Sequence, residues 1–327
     1  MILVTGARGH IGNVLVKLLY EKGHTDLRAM IQGGSTDHIE RYVKEIVRCD
    51  IRDKEAVSEA VRGCSDVFHL AALINLSSRN KQRLHDINVG GVENIVSACL
   101  EHGVKRLVHV SSIHALSPSP DRRVDEAIDK NIGHRGDEYG RTKLEGTLKV
   151  LAACEEGLDA VVVFPTGVIG PDDYRSSMAG AMFNKYIKAR GFQFYFDGQY
   201  DFVDVRDVAD GTFRAWQQGE KGEGYIITGE PYSIRNIIYQ IGQCCGKEFR
   251  LLRVPTPLVK LFARMTPLYY ALLRKTPVIT KETVDVMLSG VKISGEKARN
   301  MLGFSPRPVT ETIIDTVEWY KEAKKAR

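Results

Sequence analysis

Tyr139 and Lys143, in the run Tyr139-Gly140-Arg141-Thr142-Lys143, are the residues of this chain best spaced to share a chemical task. On a helix, positions i and i+4 lie on one face, so the phenol and the ammonium can point into one site. A nearby cation draws a tyrosine pKa down from about 10, towards the range where a phenol trades protons. Such a pair suits proton donation to a carbonyl or abstraction from an alcohol. By itself the spacing is unspecific, because many amphipathic helices carry it. Upstream, Val110-Ser111-Ser112-Ile113-His114 closes an apolar run. A serine hydroxyl at a strand end can donate to a substrate oxygen, although Ser-Ser is also ordinary turn chemistry. Ser112 gains its meaning beside Tyr139 and Lys143.

These residues need elements to hold them, and the first is at the start of the chain. Ile2-Leu3-Val4 runs into Thr5-Gly6-Ala7-Arg8-Gly9-His10-Ile11-Gly12, and Ile11, Val14, Leu15, Leu18 and Leu19 follow with helical spacing. Strand, glycine turn, helix is the context of a dinucleotide site. The glycines allow a tight turn and close backbone approach, and the helix N-terminus faces a pyrophosphate. Further strands are expected at Leu27 to Ile31, Glu45 to Arg48, Val67 to Leu70, Arg106 to Val110 and Ala160 to Phe164, with helical patterns between them such as Val92, Ile95, Val96, Cys99 and Leu100. Continuous β-branched runs alternating with amphipathic helices predict an α/β fold, a Rossmann-like doubly wound parallel sheet. Asp50, just after the third strand, reads either as an acceptor for an adenine amino group or as a turn residue before Lys54.

The end of the second strand bears on cofactor choice. A carboxylate there would bind the ribose 2′-hydroxyl and favour NAD(H), but the run is Ile31-Gln32-Gly33-Gly34-Ser35. Arg8, inside the glycine turn, can reach a 2′-phosphate with forked hydrogen bonds. NADP(H) is therefore preferred, with NAD(H) through Gln32 as the other reading.

Composition narrows the function classes. The 327 residues are 43% hydrophobic and 27% charged, with a net charge of +5 spread along the chain. These are ordinary globular values and demand neither nucleic acid nor a membrane as partner. The six cysteines have no zinc or disulfide spacing and read as buried reduced thiols of a cytoplasmic protein. No His, Cys and carboxylate grouping has metal-ligand spacing. The chain opens on an apolar strand, so neither a signal peptide nor a transmembrane segment is expected. The most apolar region, near Leu258 to Leu273, is broken by Lys260, Arg264 and Pro267.

Taken together, Thr5-Gly6-x-x-Gly9-x-x-Gly12, His69-Leu70-Ala71-Ala72, Asn88-Val89-x-Gly91, Ser111-Ser112 and Tyr139-x-x-x-Lys143 resemble the extended short-chain dehydrogenase/reductases, the NAD-dependent epimerase/dehydratase family. Phe164-Pro165-Thr166-Gly167-Val168-Ile169-Gly170-Pro171 and Phe202-Val203-Asp204-Val205-Arg206-Asp207-Val208-Ala209 are similar to the branch of dihydroflavonol reductases and 3β-hydroxysteroid dehydrogenases. The resemblance covers essentially the whole chain. It implies a nucleotide-binding domain over 1–168, rejoined by about 201–229. A smaller, mainly helical substrate lobe would comprise 169–200 and 230–327. It also implies Tyr139 as general acid/base, Lys143 binding the nicotinamide ribose, and Ser112 polarising the substrate oxygen. The cofactor would be lined by Gly6, Arg8, Gly9, His10, Ile11, Gly12, Gln32, Asp50, Ile51, Leu70, Ala71, Ala72, Asn88, Ser111, Pro165, Thr166, Gly167 and Val168. A homodimer through the helices near Asn88 to His102 and Tyr139 to Glu155 is part of the same implication.

The reaction class rests on substrate contacts. Sugar-nucleotide members of the family place an Asn after the sixth strand and an Arg just before the Phe-Val motif; here those places hold Gly167 and Tyr200. The dehydratase Thr-Asp-Glu set is replaced by Ser112-Ile113-His114. Both departures favour a less charged ketone or secondary alcohol, steroid- or dihydroflavonol-like, over a nucleotide-sugar epimerase or dehydratase. Arg175, Lys185, Arg190 or Arg214 can still supply a phosphate grip. A non-catalytic, cofactor-sensing regulator is a third class, against which intact Ser112, Tyr139 and Lys143 weigh. His114 reads as a substrate contact or a satisfied loop histidine, and Tyr200 as a substrate contact. Phe192 to Phe196 fall where a substrate loop is expected. Pro255 to Leu273 can be lobe core, pocket wall, or a membrane contact using Lys260, Arg264, Arg274 and Lys275.

Overall fold

The computed structural model describes residues 1–74, 81–129, 138–272 and 281–325. Its centre is a seven-stranded sheet, fully parallel. From one edge to the other the strands are Gly224–Ile227, Ala160–Pro165, Arg106–Val110, Asp66–His69, Ile2–Thr5, Leu27–Ile31 and Glu45–Arg48. Each inner strand is apolar on both faces, as a sheet covered on both sides requires. Leu3, Leu107, Val162 and Phe164 enter one core, beneath helices Lys54–Val61, Gly91–Glu101 and Glu138–Glu155. Ile2, Val4, Val108, Val161 and Val163 enter the other, beneath His10–Glu21 and Val205–Gln218. The fold class expected from the sequence is the one observed.

The chain leaves Ile2–Thr5 towards one edge, then returns to build the other edge outward from Asp66–His69. That reversal opens a crevice at the carboxyl ends of those two strands, where open α/β sheets bind ligands. The fourth strand ends one residue earlier than expected, at His69. Leu70 and Ala71 direct their backbone N–H groups to the Thr5 hydroxyl, both at 3.1 Å, and so leave the ladder.

A third core lies outside the large sheet, among Met178–Lys188, Ile234–Cys244 and Val309–Lys325. It includes strands that periodicity did not reveal. Gln199–Asp204 pairs with Gly167–Ile169 in parallel and with Glu230–Ser233 antiparallel. The chain therefore regains the first layer through the Val205–Gln218 helix, whose Val205, Val208 and Ala209 join its core. Phe192–Tyr195, expected as substrate loop, is a strand paired in parallel with Arg250–Arg253. Among the described residues no helix is long and apolar enough to cross a membrane, and no three His, Cys, Asp or Glu residues could hold a metal ion. Cys49, Cys64 and Cys99 are buried; Cys154, Cys244 and Cys245 are half-buried, and all six are free.

Candidate active site

The glycine turn is built so that backbone meets backbone. Gly6 has φ +67°, and a Cβ there would stand 2.8 Å from the Ala71 nitrogen. A Cβ on Gly12 would stand 2.3 Å from the Gly6 carbonyl oxygen. No side chain fits at either position, and the N-terminus of the His10–Glu21 helix has no side-chain cap and no acidic residue in its first turn. This is the cradle that a pyrophosphate needs. Two side chains fix its rim to the segment after the sixth strand: His10 Nε2 is 2.8 Å from the Pro171 carbonyl, and Asn13 donates to the Asp172 carbonyl at 3.1 Å.

Arg8 folds back over Gly33 and Gly34, donating to the Gly33 carbonyl. A Cβ at Gly34, where φ is +90°, would collide with the guanidinium. Arg8 Nε is buried without a hydrogen-bond partner, as is His38 Nε2. Arg48 donates to the Gly34 carbonyl at 3.2 Å. Burial, then the charges of Arg175 and Arg48, lower the Arg8 pKa. Burial and Arg8 also lower that of His38. Cations thus converge on the loop after the second strand with orphaned donors between them. Arg48, Arg175 and His38 were not singled out for this place, because only folding brings them together. Gln32 takes a different part: its amide donates to Asp50 at 3.1 Å. Asp50 is also gripped by Arg52 at 2.7 and 3.0 Å, which holds its carboxyl well below the usual range.

The Glu138–Glu155 helix lies close to the π-helical turn Asp86–Gly90 because residue 146 is glycine; a Cβ there would be 2.7 Å from the Asn88 carbonyl oxygen. Asn88 uses its whole amide on structure. Its Oδ1 accepts from Leu73 N at 2.8 Å, and its Nδ2 donates to Leu73 O and Thr142 Oγ1, both at 3.1 Å. It braces the 71–74 segment against the helix that carries Tyr139 and Lys143. Tyr139, Lys143 and Ser112 are all buried. Lys143 donates to the Val110 carbonyl at 3.0 Å, and burial pushes its pKa down to about 7.

The two serines divide their work. Ser111 is 2.7 Å from Thr147 Oγ1, which ties the strand end to the helix. Ser112 caps the Ile113–Ala115 turn, accepting from His114 N at 3.3 Å, so its hydroxyl proton is left to donate. The helix of Tyr139 packs on that turn. The His114 ring stands edge-on to Tyr139 with centroids 5.7 Å apart, and His114 Nε2 is 3.2 Å from the Tyr200 hydroxyl. His114 thus adjoins Tyr139, and Tyr200 adjoins His114. Tyr200 also lies over Gly167, where a Cβ would be 2.6 Å from its ring. Of the segment after the sixth strand, Thr166 spends its hydroxyl on Asp201 at 2.8 Å, and Val168 is partly buried against the second core.

Comparison with known proteins agrees with this geometry. Residues 2–228 match the model of the NAD dependent epimerase/dehydratase family. The chain is 30% identical to a protein named sterol demethylase protein B from Methylococcus capsulatus, over 98% of both chains. The chain belongs to the NAD dependent epimerase/dehydratase family. It is thus an NAD(P)-dependent enzyme of the extended short-chain dehydrogenase/reductase type. Within that family it is also 28% identical to a putative dihydroflavonol 4-reductase from Synechocystis, covering 97% of this chain and 94% of the other. It is 30% identical to 3beta-hydroxysteroid-dehydrogenase/decarboxylase isoform 1 of Arabidopsis thaliana, covering 98% and 80%. Among solved structures, that of gox2253 superposes with TM-score 0.83 at 27% identity, over 99% of this chain and 98% of the other. A UDP-glucose 4-epimerase of Thermotoga maritima shares the family fold with TM-score 0.76 at 20% identity, over 99% of each chain.

Proposed function

We propose that the chain is an NADP(H)-preferring ketone reductase or secondary-alcohol dehydrogenase acting on a fairly apolar ring ketone, steroid- or dihydroflavonol-like. The observation that carries this reading is the contact of Tyr200 with Gly167. The two positions where sugar-nucleotide members of the family hold an Arg and an Asn are here filled by one aromatic ring resting on a bare backbone. A diphosphate would meet a phenol ring instead of its charge-assisted hydrogen bonds. The names of the relatives, sterol demethylase protein B, putative dihydroflavonol 4-reductase and 3beta-hydroxysteroid-dehydrogenase/decarboxylase, point the same way.

The nicotinamide, when bound, supplies or takes up the hydride. The chain's own residues position the substrate and manage one proton. Ser112 Oγ, already accepting from His114 N, donates its hydrogen to the substrate oxygen. Tyr139 gives its phenolic proton to that oxygen in reduction and takes it back in oxidation. Lys143 sits one turn away, with an ammonium already close to losing its proton at neutral pH. Gly6, Gly9 and Gly12 would hold the pyrophosphate. Arg8, with Arg48 and Arg175 close by, would hold a 2′-phosphate, whose oxygens would answer the orphaned Arg8 Nε and His38 Nε2.

The test is oxidation of NADPH and NADH by the purified protein against steroid, flavanonol and aryl ketones. Turnover of at least one ketone is expected, with NADPH favoured, and Tyr139→Phe should lower it at least about a hundredfold. Arg8→Ser should erase the NADPH preference while leaving NADH turnover in place. A silent ketone panel with turnover of a nucleotide sugar would replace this reading by the epimerase one.

A further inference from the structure

Two stretches of the chain, 185–196 and 249–280, contain no Asp or Glu and together carry nine Lys and Arg. The whole chain is far nearer balance, with 46 basic and 41 acidic residues. The same two stretches supply seven of the sixteen large apolar side chains that are exposed among the described residues. Positive charge and exposed apolar side chains therefore coincide in sequence.

They coincide in structure as well. In the parallel pair of Phe192–Tyr195 with Arg250–Arg253, Phe192 faces Arg250 and Phe194 faces Leu252. Strand alternation puts these four side chains on one side, while Gln193 and Leu251 turn towards the third core. The Arg250 guanidinium lies 5.5 Å from the Phe192 ring centroid. Three residues after Arg253 the chain enters the helix Thr256–Leu272. Val259 and Ala263 face inward against Val284. Leu258, Leu261, Phe262 and Met265, at spacing i, i+3, i+4 and i+7, form an outward stripe, and Lys260 and Arg264 lie beside it. Exposure of the apolar residues on the two elements runs from 43% at Leu252 to 64% at Phe194. A second copy of this face would set cations against cations, which disfavours self-association there.

We propose that this face seats the protein on a bilayer surface bearing anionic headgroups. The outward stripe and the two phenylalanines enter the boundary between headgroups and acyl chains, and the flanking Lys and Arg pair with lipid phosphates. The attachment is peripheral, and it is independent of which reaction the enzyme performs.

Flotation with vesicles of phosphatidylcholine alone, or mixed with phosphatidylglycerol, tests it without any activity readout. Wild-type protein is expected to float with the mixed vesicles and to be released by salt. L258S/L261S/M265S and F192S/F194S should each lower partitioning at least about tenfold, as loss of several buried apolar groups predicts. K260E/R264E, which removes no packing, should abolish the preference for anionic lipid and guards against a misfolded apolar variant. No flotation of the wild type, or equal flotation of all variants, overturns the proposal. A wild-type dimer that the serine variants dissociate, with no vesicle binding, assigns the face to a second copy and overturns it too.

Discussion

Lys143 shows what burying a single charged residue costs in stability. Its folded pKa is about 7 against an ordinary 10.5, and burial is the cause. Between those two pH values the unfolded chain holds a proton that the folded chain lacks, so folding stability climbs as pH rises from about 7 to about 10.5. Each pKa unit is worth about 1.4 kcal/mol, so the charged lysine costs several kcal/mol at neutral pH. Lys143→Met should therefore raise stability at pH 7 by about 1–3 kcal/mol, after allowing for the lost bond to the Val110 carbonyl. It should also flatten the pH dependence expected in urea melts of the wild type. The same variant should be inactive. A fall in stability at pH 7 would mean that the ammonium is better solvated than its burial implies. His69 and His109 carry the same signature beside it: burial and the Lys143 charge push His69 down to about 3 and His109 well below its ordinary value. Thr5 Oγ accepts from Leu70 N and Ala71 N, so its one proton goes to His69 Nδ1, 2.8 Å away. The neutral ring is thereby fixed as the Nε2–H tautomer.

At the scale of elements, the glycine turn couples the first strand, the first helix and the segment after the fourth strand. A Cβ on Gly12 would drive the start of the helix into the Gly6 carbonyl, whereas one on Gly9 would stand 3.0 Å from the same oxygen. Gly12→Ala should cost about 1–3 kcal/mol, the usual cost of overpacking, and weaken NADPH binding at least about tenfold. Gly9→Ala should be distinctly milder on both counts. Urea melts and fluorescence titration with NADPH measure the two effects, and equal effects would mean that the turn relaxes freely. The Glu138–Glu155 helix relies on Gly146 in the same way, since its approach to Asn88 leaves no room for a methyl group.

At the scale of the molecule, the C-terminal segment is stitched to the middle of the chain by charge. Arg307 binds Asp207 at 2.9 Å, and Arg206 binds both Asp204 and Asp315 at 2.7 Å; Asp204 and Asp207 are buried. Arg307→Met strands a buried carboxylate and should cost about 3 kcal/mol, read from the urea midpoint. An unchanged midpoint would mean that water replaces the guanidinium. The large sheet was legible because its strands are unbroken β-branched runs, and Ser112, Tyr139 and Lys143 because each lies at a fixed offset from such a strand or on one helix face. Phe192–Tyr195 was not legible, since its partner Arg250–Arg253 is remote in sequence and its outward phenylalanines mimic a pocket lining. The cation cluster around Arg8 escaped for a related reason. Arg48 and Arg175 acquire their role only when the third strand and the segment after the sixth reach the glycine turn.

The ring of Tyr200 needs the bare Gly167 beneath it, while Gly167 has no such need of Tyr200. A Cβ at position 167 would meet the Tyr200 ring at 2.6 Å and the Asp201 carbonyl oxygen at 2.9 Å, so ring and backbone alike close that position to side chains. Removing the tyrosine alone therefore does not reopen position 167, because the Asp201 carbonyl still stands in the way until the backbone of the neighbouring strand shifts.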